Sequence, residues 1–321
     1  MNLSPEYLYP PIEPFATLML PVSSRHTLYV ERSGTPGGYP IFFLHGGPGS
    51  QTRPAHRRYF DPDFFDIVLF DQRGCGLSEP AGDVQDNETP TLVEDIDRIR
   101  QALGIKGRIS LLGGSWGSTL ALAYALHYPA TVDELILRGV FLGTDAELSW
   151  YTHGLRRFAP AAWEAFAPNS VNDLIDSYYQ AVFSADSTQA TGAARRWVEY
   201  ERQLMALGVT QMAAATVAPQ STLLNRARVQ LHYLKHQCFL GDRPLLDAAG
   251  GIQLPVTIVQ GALDMLCPPL TAYQLSQRLP NARLRMVPDA GHGALSGSLA
   301  LALKQECDAL RDRLRGVASI E

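Results

Sequence analysis

The sequence predicts an α/β protein with a mostly parallel central sheet flanked by helices and interrupted by an all-helical insertion. Short apolar stretches alternate with amphipathic or alanine- and leucine-rich stretches over most of the chain. This alternation is typical of a parallel sheet covered by helices on both faces. A Gly-x-Ser-x-Gly motif stands between one such strand and the next helix, and the stretch 143–247 has no convincing buried strand.

The elements follow from this pattern in chain order. Residues 1–16, rich in proline and aromatic residues, are expected to form an extended arm across the domain. The first two strands are predicted to be edge strands joined by a turn at Ser23-Ser24. The predicted strands cover 17–20, 27–32, 40–44, 65–70, 109–112, 134–138, 256–260 and 283–287, and helices cover 92–103, 119–126 and 299–315.

The motif Gly113-Gly114-Ser115-Trp116-Gly117 follows strand 109–112 directly and precedes helix 119–126. A serine on so sharp a turn adopts strained backbone angles and projects its hydroxyl above the edge of the sheet. A side chain at Gly113 or Gly117 would collide with neighbouring segments. The context therefore predicts that Ser115 is a catalytic nucleophile, with the helix N-terminus favouring negative charge beside it.

A nucleophilic serine needs a base and an acid that orients the base, and in this arrangement they follow in the order Ser, Asp, His. Asp264 comes just after strand 256–260, and His292 follows strand 283–287. Both positions lie on loops at the carboxyl edge of the sheet, where the mechanism requires them. Asp289 is a competing carboxylate, but it lies only three residues from His292, so Asp264 is preferred.

Acyl transfer also requires two hydrogen-bond donors for the oxyanion. The backbone N–H of Trp116, next to the nucleophile, is one candidate. The other is the N–H of Gly47, in the glycine-rich loop after strand 40–44. That loop is not a phosphate cradle, because neither a Lys-Ser/Thr pair nor a G-x-G-x-x-G pattern accompanies it.

Composition excludes several other classes of protein. The net charge of -5 argues against a nucleic-acid binder, and no apolar run reaches the length of a membrane span. No signal peptide is visible at the N-terminus, and the four cysteines are scattered without a C-x-x-C pair. We therefore expect a cytoplasmic protein with reduced thiols, no metal and no organic cofactor.

Taken together, the motifs resemble those of the prolyl aminopeptidase (proline iminopeptidase) family of α/β hydrolases, from about Tyr9 to Leu310. The resemblance implies an α/β-hydrolase core of residues 1–142 and 248–321, with a helical cap of residues 143–247 over the active site. It also implies a serine peptidase that releases N-terminal proline from a small peptide or amino-acid amide. The motifs that carry it are His45-Gly46-Gly47-Pro48-Gly49, Asp71-Gln72-Arg73-Gly74-Cys75-Gly76-Leu77-Ser78, Gly113–Ser118, Arg138-Gly139-Val140-Phe141, Asp264 with Cys267-Pro268, and Ala290-Gly291-His292.

The resemblance assigns substrate-binding roles to four cap-side residues. Glu201 stands where the family has a glutamate for the substrate amine, and Phe141 and Tyr151 fall where the family lines its proline pocket. The family's second glutamate is replaced by Gln230, which supplies no charge, so weaker capture of a free N-terminus or a shifted substrate range is expected. Leu234 likewise replaces a phenylalanine of the family pattern.

Two alternatives stay open at this point. The first is that the chain is an amino-acid amidase or esterase with altered cap specificity. The second is that it is a non-catalytic binding protein on a hydrolase scaffold. The intact set of Ser115, Asp264 and His292 argues against the second. We expect a monomer or small homo-oligomer that acts on a small-molecule substrate, with no nucleic acid and no membrane as partner.

Overall fold

The computed structural model describes residues 8–167, 173–207, 219–242 and 244–318. All eight predicted strands are confirmed, and their ends differ from the predicted ends by at most two residues. Residues 1–7 of the predicted N-terminal arm lie outside the described residues. The strands are β1 (Ala16–Pro21), β2 (Thr27–Gly34), β3 (Tyr39–Leu44), β4 (Phe65–Phe70), β5 (Ile109–Gly114), β6 (Val132–Arg138), β7 (Val256–Gly261) and β8 (Ala282–Val287).

The strands form one sheet in the order β1-β2-β4-β3-β5-β6-β7-β8. β2 runs antiparallel to both β1 and β4, and all other neighbours are parallel. The prediction that β2 is an edge strand is wrong, because its second side is paired with β4. The register of β3 and β5 aligns Leu44 with Gly113, which brings the loops after these two strands together at the carboxyl edge.

The predicted helices are also confirmed, with ends that shift by at most three residues. The sequence pattern missed α9, which follows β7, and a short 3-10 helix over Pro54–Tyr59. The described helices are α1 (Thr89–Ala102), α2 (Trp116–His127), α3 (Asp145–Thr152), α4 (Pro160–Phe166), α5 (Leu174–Val182), α6 (Ser187–Ala206), α7 (Gln220–Lys235), α8 (Leu245–Ala248), α9 (Pro269–Arg278) and α10 (Gly297–Ala318).

Apolar strands are buried on both faces because helices cover both faces of the sheet. Phe42 and Leu111 pack on the face covered by α1 and α2, whereas Ile41 and Leu112 pack on the face covered by α10. Successive strand residues point to opposite faces, so a continuous apolar run is required for both contacts. This is why the strands could be predicted from the sequence.

The described part of the stretch 143–247 is helical and contains α3 to α7, without a strand. Several of its aromatic residues form a core, in which Phe166 stacks on Tyr200 with ring centroids 4.0 Å apart, and Trp197 lies against both Phe166 and Tyr178. α8 crosses the predicted boundary at residue 247. The division into core and cap domains stays a prediction.

Helix α7 is held against the α/β core by buried polar contacts. The hydroxyl of Tyr233 donates to Oδ1 of Asn87 at 2.8 Å, and Nε2 of His232 lies 2.9 Å from the carbonyl oxygen of Asn87. Gly49, with a φ of 85°, lets the backbone of α7 approach, because a Cβ there would lie 2.5 Å from the carbonyl oxygen of Arg226. The glycine therefore places α7 directly on the loop after β3.

The described part of the N-terminal arm crosses the α/β core as expected. The backbone N–H of Tyr9 donates to the carbonyl of Arg58, and its hydroxyl donates to Asp308 on α10 at 2.6 Å. In the part of the chain that the structure describes, no helix is long and apolar enough to cross a membrane.

Candidate active site

Ser115 lies between β5 and α2, where the nucleophile was predicted. Its φ of 55° and ψ of −125° are strained angles for a residue with a side chain. A Cβ at Gly113 would overlap the carbonyl of Gly117, and a Cβ at Gly117 would overlap the carbonyl of Leu44. The predicted need for both glycines is therefore confirmed, since the turn is closed by backbone on both sides.

Asp264 and His292, which follow β7 and β8, contact each other. Oδ2 of Asp264 lies 2.8 Å from Nδ1 of His292, and the aspartate is almost fully buried. The other carboxylate oxygen accepts the backbone N–H groups of Leu266 and Cys267 at 3.0 and 2.8 Å. These bonds orient Asp264 toward His292 and favour a hydrogen on Nδ1, which leaves a lone pair on Nε2.

The competing carboxylate, Asp289, is exposed at the rim of the cavity. Nδ1 of His292 donates its hydrogen bond to Asp264 instead. This contact agrees with the preference for Asp264 over Asp289, which lies only three residues from His292.

Nε2 of His292 faces an arginine to which the sequence argument gave no role. Nη1 of Arg138 lies 3.2 Å from Nε2 and donates to the carbonyl oxygen of His292 at 3.0 Å. Among the described residues, the only polar side-chain partner of Ser115 Oγ is the sulfur of Cys267, at 4.0 Å. Catalytic hydrogen bonds often tighten only when substrate is bound. The signal for Arg138 was its position at the carboxyl end of β6, next to β5.

The loop after β3 carries the predicted oxyanion donor Gly47, whose φ is 123°. A Cβ on Gly46 would lie 3.2 Å from Cβ of Ser115, so the loop passes close to the nucleophile. The N–H of Trp116 belongs to the first turn of α2, where no intrahelical carbonyl is available to it. Both predicted donors thus come from backbone next to Ser115.

A buried network fixes this loop. Nε2 of His45 accepts the backbone N–H of Gln72 at 3.0 Å, and the side chain of Gln72 donates to the carbonyl of His45 at 2.9 Å. The indole N–H of Trp116 donates to Oε1 of Gln72 at 2.9 Å. Burial lowers the pKa of His45, so this histidine stays neutral and structural. The network links the loop after β3 to the first turn of α2 through Gln72, a residue of the Asp71–Ser78 motif.

A cavity of about 930 Å³ extends from Ser115 to helices α3, α6 and α7. The four predicted substrate-binding residues line it together with Ser115 and His292: Phe141, Tyr151, Glu201 and Gln230. Tyr151 also packs against Trp197 in the aromatic core of the cap, with ring centroids 5.4 Å apart. The structure therefore brings these four residues, Ser115 and His292 to one cavity.

At the end of the cavity formed by α6 and α7, Glu201 is buried and already hydrogen-bonded. Nε2 of Gln230 donates to its Oε2 at 2.8 Å, and Arg226 forms an ion pair with its Oε1. Glu199 points to another face of α6 and pairs with Arg202 at the surface. The sequence argument missed Arg226, although its spacing of four residues before Gln230 places both on one face of α7.

Comparisons with known proteins agree with this architecture. A family model described as alpha/beta hydrolase fold matches residues 39–297. A probable proline iminopeptidase of Leptolyngbya boryana is 41% identical over 308 residues, covering 94% of this chain and 96% of the relative. A proline iminopeptidase of Neisseria gonorrhoeae is 41% identical over 313 residues, covering 94% and 98% of the two chains.

Among solved structures, a putative lipase of Acinetobacter baumannii AYE shares the fold, with a TM-score of 0.66 and 18% identity over 92% of this chain and 90% of that one. The fold is therefore shared with proteins of much lower sequence identity. The sequence matches identify the closer group: the chain belongs to the α/β-hydrolase fold family and, within it, to the proline iminopeptidases.

Proposed function

We propose that this chain is a serine aminopeptidase that releases N-terminal proline from small peptides or amino-acid amides through an acyl-enzyme. The observation that carries the proposal is the hydrogen bond between Asp264 and His292 beside a strained Ser115, in a chain of the proline iminopeptidase family. The serine is oriented by backbone strain, and the histidine is oriented by a buried carboxylate.

In the proposed reaction, Ser115 Oγ attacks the carbonyl carbon of the N-terminal residue while Nε2 of His292 takes the hydroxyl proton. Asp264 stabilises the resulting imidazolium without taking its proton. The N–H groups of Gly47 and Trp116 hold the oxyanion. His292 then protonates the leaving amine, and water attacks the acyl-enzyme by the same route to free the N-terminal amino acid.

For the substrate, we propose that Phe141 and Tyr151 contact the proline ring and that Glu201, assisted by Gln230, binds the amine. All four line the cavity that contains Ser115. A buried carboxylate is a suitable partner for an ammonium, since the desolvated charge is compensated by the pair. The cap of residues 143–247 would set the size of the site, and a location in the cytoplasm and a monomeric or small homo-oligomeric state remain predictions.

A second candidate, an amidase or esterase that does not require a free amine, is favoured by one observation. Glu201 is already paired with Arg226 and Gln230. An ammonium therefore meets a compensated carboxylate, whereas an ester or an N-acylated amide makes no demand on that charge.

The test is to measure kcat/KM for the 4-nitroanilides of proline, alanine and N-acetylproline. A preference for proline over alanine and over N-acetylproline supports the aminopeptidase, and equal use of N-acetylproline supports the second candidate. Ser115→Ala should lower kcat by at least about a thousandfold and abolish labelling by a fluorophosphonate. Turnover that survives in Ser115→Ala would overturn the serine mechanism.

A further inference from the structure

In the proposed amine subsite, the negative charge of Glu201 is already compensated by a cation of the same chain. Glu201 has an 8% exposed side chain, and both of its carboxylate oxygens have donors: Arg226 on Oε1 and Gln230 on Oε2. One carboxylate and one guanidinium give this end of the cavity a net charge of about zero. An uncompensated carboxylate would attract an ammonium far more strongly.

Gln230 does not offer the substrate amine a free acceptor in place of the compensated carboxylate. Its Oε1 accepts the indole N–H of Trp197 at 2.9 Å while its Nε2 donates to Glu201. The amide is therefore held in one orientation, with its donor toward the carboxylate. Oε1 of Gln230 and both carboxylate oxygens of Glu201 therefore each accept a hydrogen bond before the substrate arrives.

The same region offers donors instead of acceptors. Among the residues that the structure describes, Nε of Arg226 and the hydroxyl of Tyr151 are buried without a hydrogen-bond partner. Both residues line the cavity. Burial, together with the charge of Glu201, raises the pKa of Tyr151 well above its usual value, so the hydroxyl keeps its proton. Buried donors without partners favour a ligand that brings an acceptor oxygen.

We propose that Arg226 determines specificity: it competes with the substrate ammonium for Glu201 and adapts the subsite to neutral, acceptor-bearing groups such as an N-acyl carbonyl. This inference rests on the proposed function and refines its substrate class. Arg226 selects by opposing the charged group as well as by favouring the neutral one. Its backbone packs on Gly49 of the oxyanion loop, so the guanidinium is carried by a fixed helix.

The experiment compares prolyl and N-acetylprolyl 4-nitroanilides at pH 7 in the wild type and in Arg226→Met. The measured quantity is the ratio of the two kcat/KM values. Removing the guanidinium frees Glu201 for the ammonium, so the ratio should rise by at least about tenfold, mainly through a lower KM for the prolyl substrate. Arg226→Lys, which keeps the positive charge, should stay within about threefold of the wild-type ratio.

Arg202→Met is the matched control, since it removes an arginine from an exposed pair with Glu199 on α6. Its ratio should equal that of the wild type. The rate of Ser115 labelling by a fluorophosphonate and the melting temperature show whether each variant keeps an intact site. An unchanged or lower ratio in an intact Arg226→Met overturns the proposal.

A failure of the proposed function can be distinguished from a failure of the role proposed for Arg226. If the wild type cleaves neither anilide, the aminopeptidase proposal is overturned, but the role of Arg226 can still be measured by binding. Prolinamide and N-acetylprolinamide are then used to protect Ser115 from the fluorophosphonate. A tenfold or greater gain in relative protection by prolinamide in Arg226→Met supports the role, and no gain overturns it.

Discussion

Nη1 of Arg138 lies 3.2 Å from Nε2 of His292, the nitrogen that would receive the proton of Ser115 in the proposed reaction. The same Nη1 donates to the carbonyl oxygen of His292. A guanidinium is always a donor, so this contact requires a lone pair on Nε2. The resting arrangement thus holds His292 in the tautomer that a general base needs, with its other nitrogen toward Asp264.

Replacing Arg138 should therefore slow the chemical step. We expect Arg138→Met to lower kcat by about ten- to hundredfold with a smaller change in KM, because the His292 loop loses its anchor and small misplacements of the base are costly. Arg138→Lys should recover part of the loss. Steady-state kinetics with prolyl 4-nitroanilide measures this. A rise in kcat would mean that the guanidinium obstructs the imidazole instead.

Gln230→Glu tests the charge of the proposed amine subsite by adding a carboxylate instead of removing a cation. The new carboxylate would lie within hydrogen-bond distance of Glu201, and two such carboxylates ionise together only if a cation lies between them. Arg226 already supplies one cation beside Glu201, and a substrate ammonium supplies a second one beside the new carboxylate. We expect KM for the prolyl anilide to fall about three- to tenfold, with no gain for N-acetylproline. Glu199→Gln, at the surface of the same helix as Glu201, is the control and should change neither value.

The thiol of Cys267 provides a chemical probe of the cavity. Its sulfur lies 4.0 Å from Ser115 Oγ, and burial raises the pKa of this thiol well above its usual value. Alkylation requires the thiolate, so inactivation by iodoacetamide should be slow at pH 7 and accelerate as the pH rises toward 10. Cys267→Ala should resist inactivation, whereas Cys307→Ala, which removes a buried thiol of α10, should remain sensitive. Peptide mapping that places the label elsewhere would contradict the prediction.

His56 should make stability depend on pH. Its Nδ1 accepts the backbone N–H of Arg53 at 3.0 Å, and burial, with nearby positive charges, lowers its pKa to about 3. Below the usual value of about 6.5 the unfolded chain binds this proton and the folded chain does not. The stability contribution is therefore full above pH 6.5 and is lost as the pH falls, by up to about 1.4 kcal/mol per pH unit.

Urea unfolding between pH 7 and pH 4.5 measures this loss. His56→Gln should flatten the dependence, because the uncharged amide does not titrate. The exposed His127 on α2 provides the matched variant His127→Gln, which should keep the wild-type slope. Equal slopes in the wild type and His56→Gln would show that other groups cause the pH dependence.

Much of the molecule was predictable because its signals are local. Buried strands such as β4 and β5 need apolar residues on both faces, and the turn at Ser115 needs glycine at 113 and 117, so both leave a mark in the chain itself. The order of nucleophile, acid and base also follows chain order in this fold. These features predicted Ser115, Asp264 and His292 as the catalytic residues without coordinates.

The tertiary structure alone decided what the charged residues contact. Nothing local shows that β2 lies inside the sheet, that Arg138 reaches His292, or that Arg226 pairs with Glu201. These contacts join segments that are far apart in the chain, and an arginine looks the same in the sequence whether it reaches solvent or a carboxylate. The sequence by itself determined the scaffold and the residues proposed for catalysis, whereas the packing of α6 against α7 decided the charge that a substrate amine would meet.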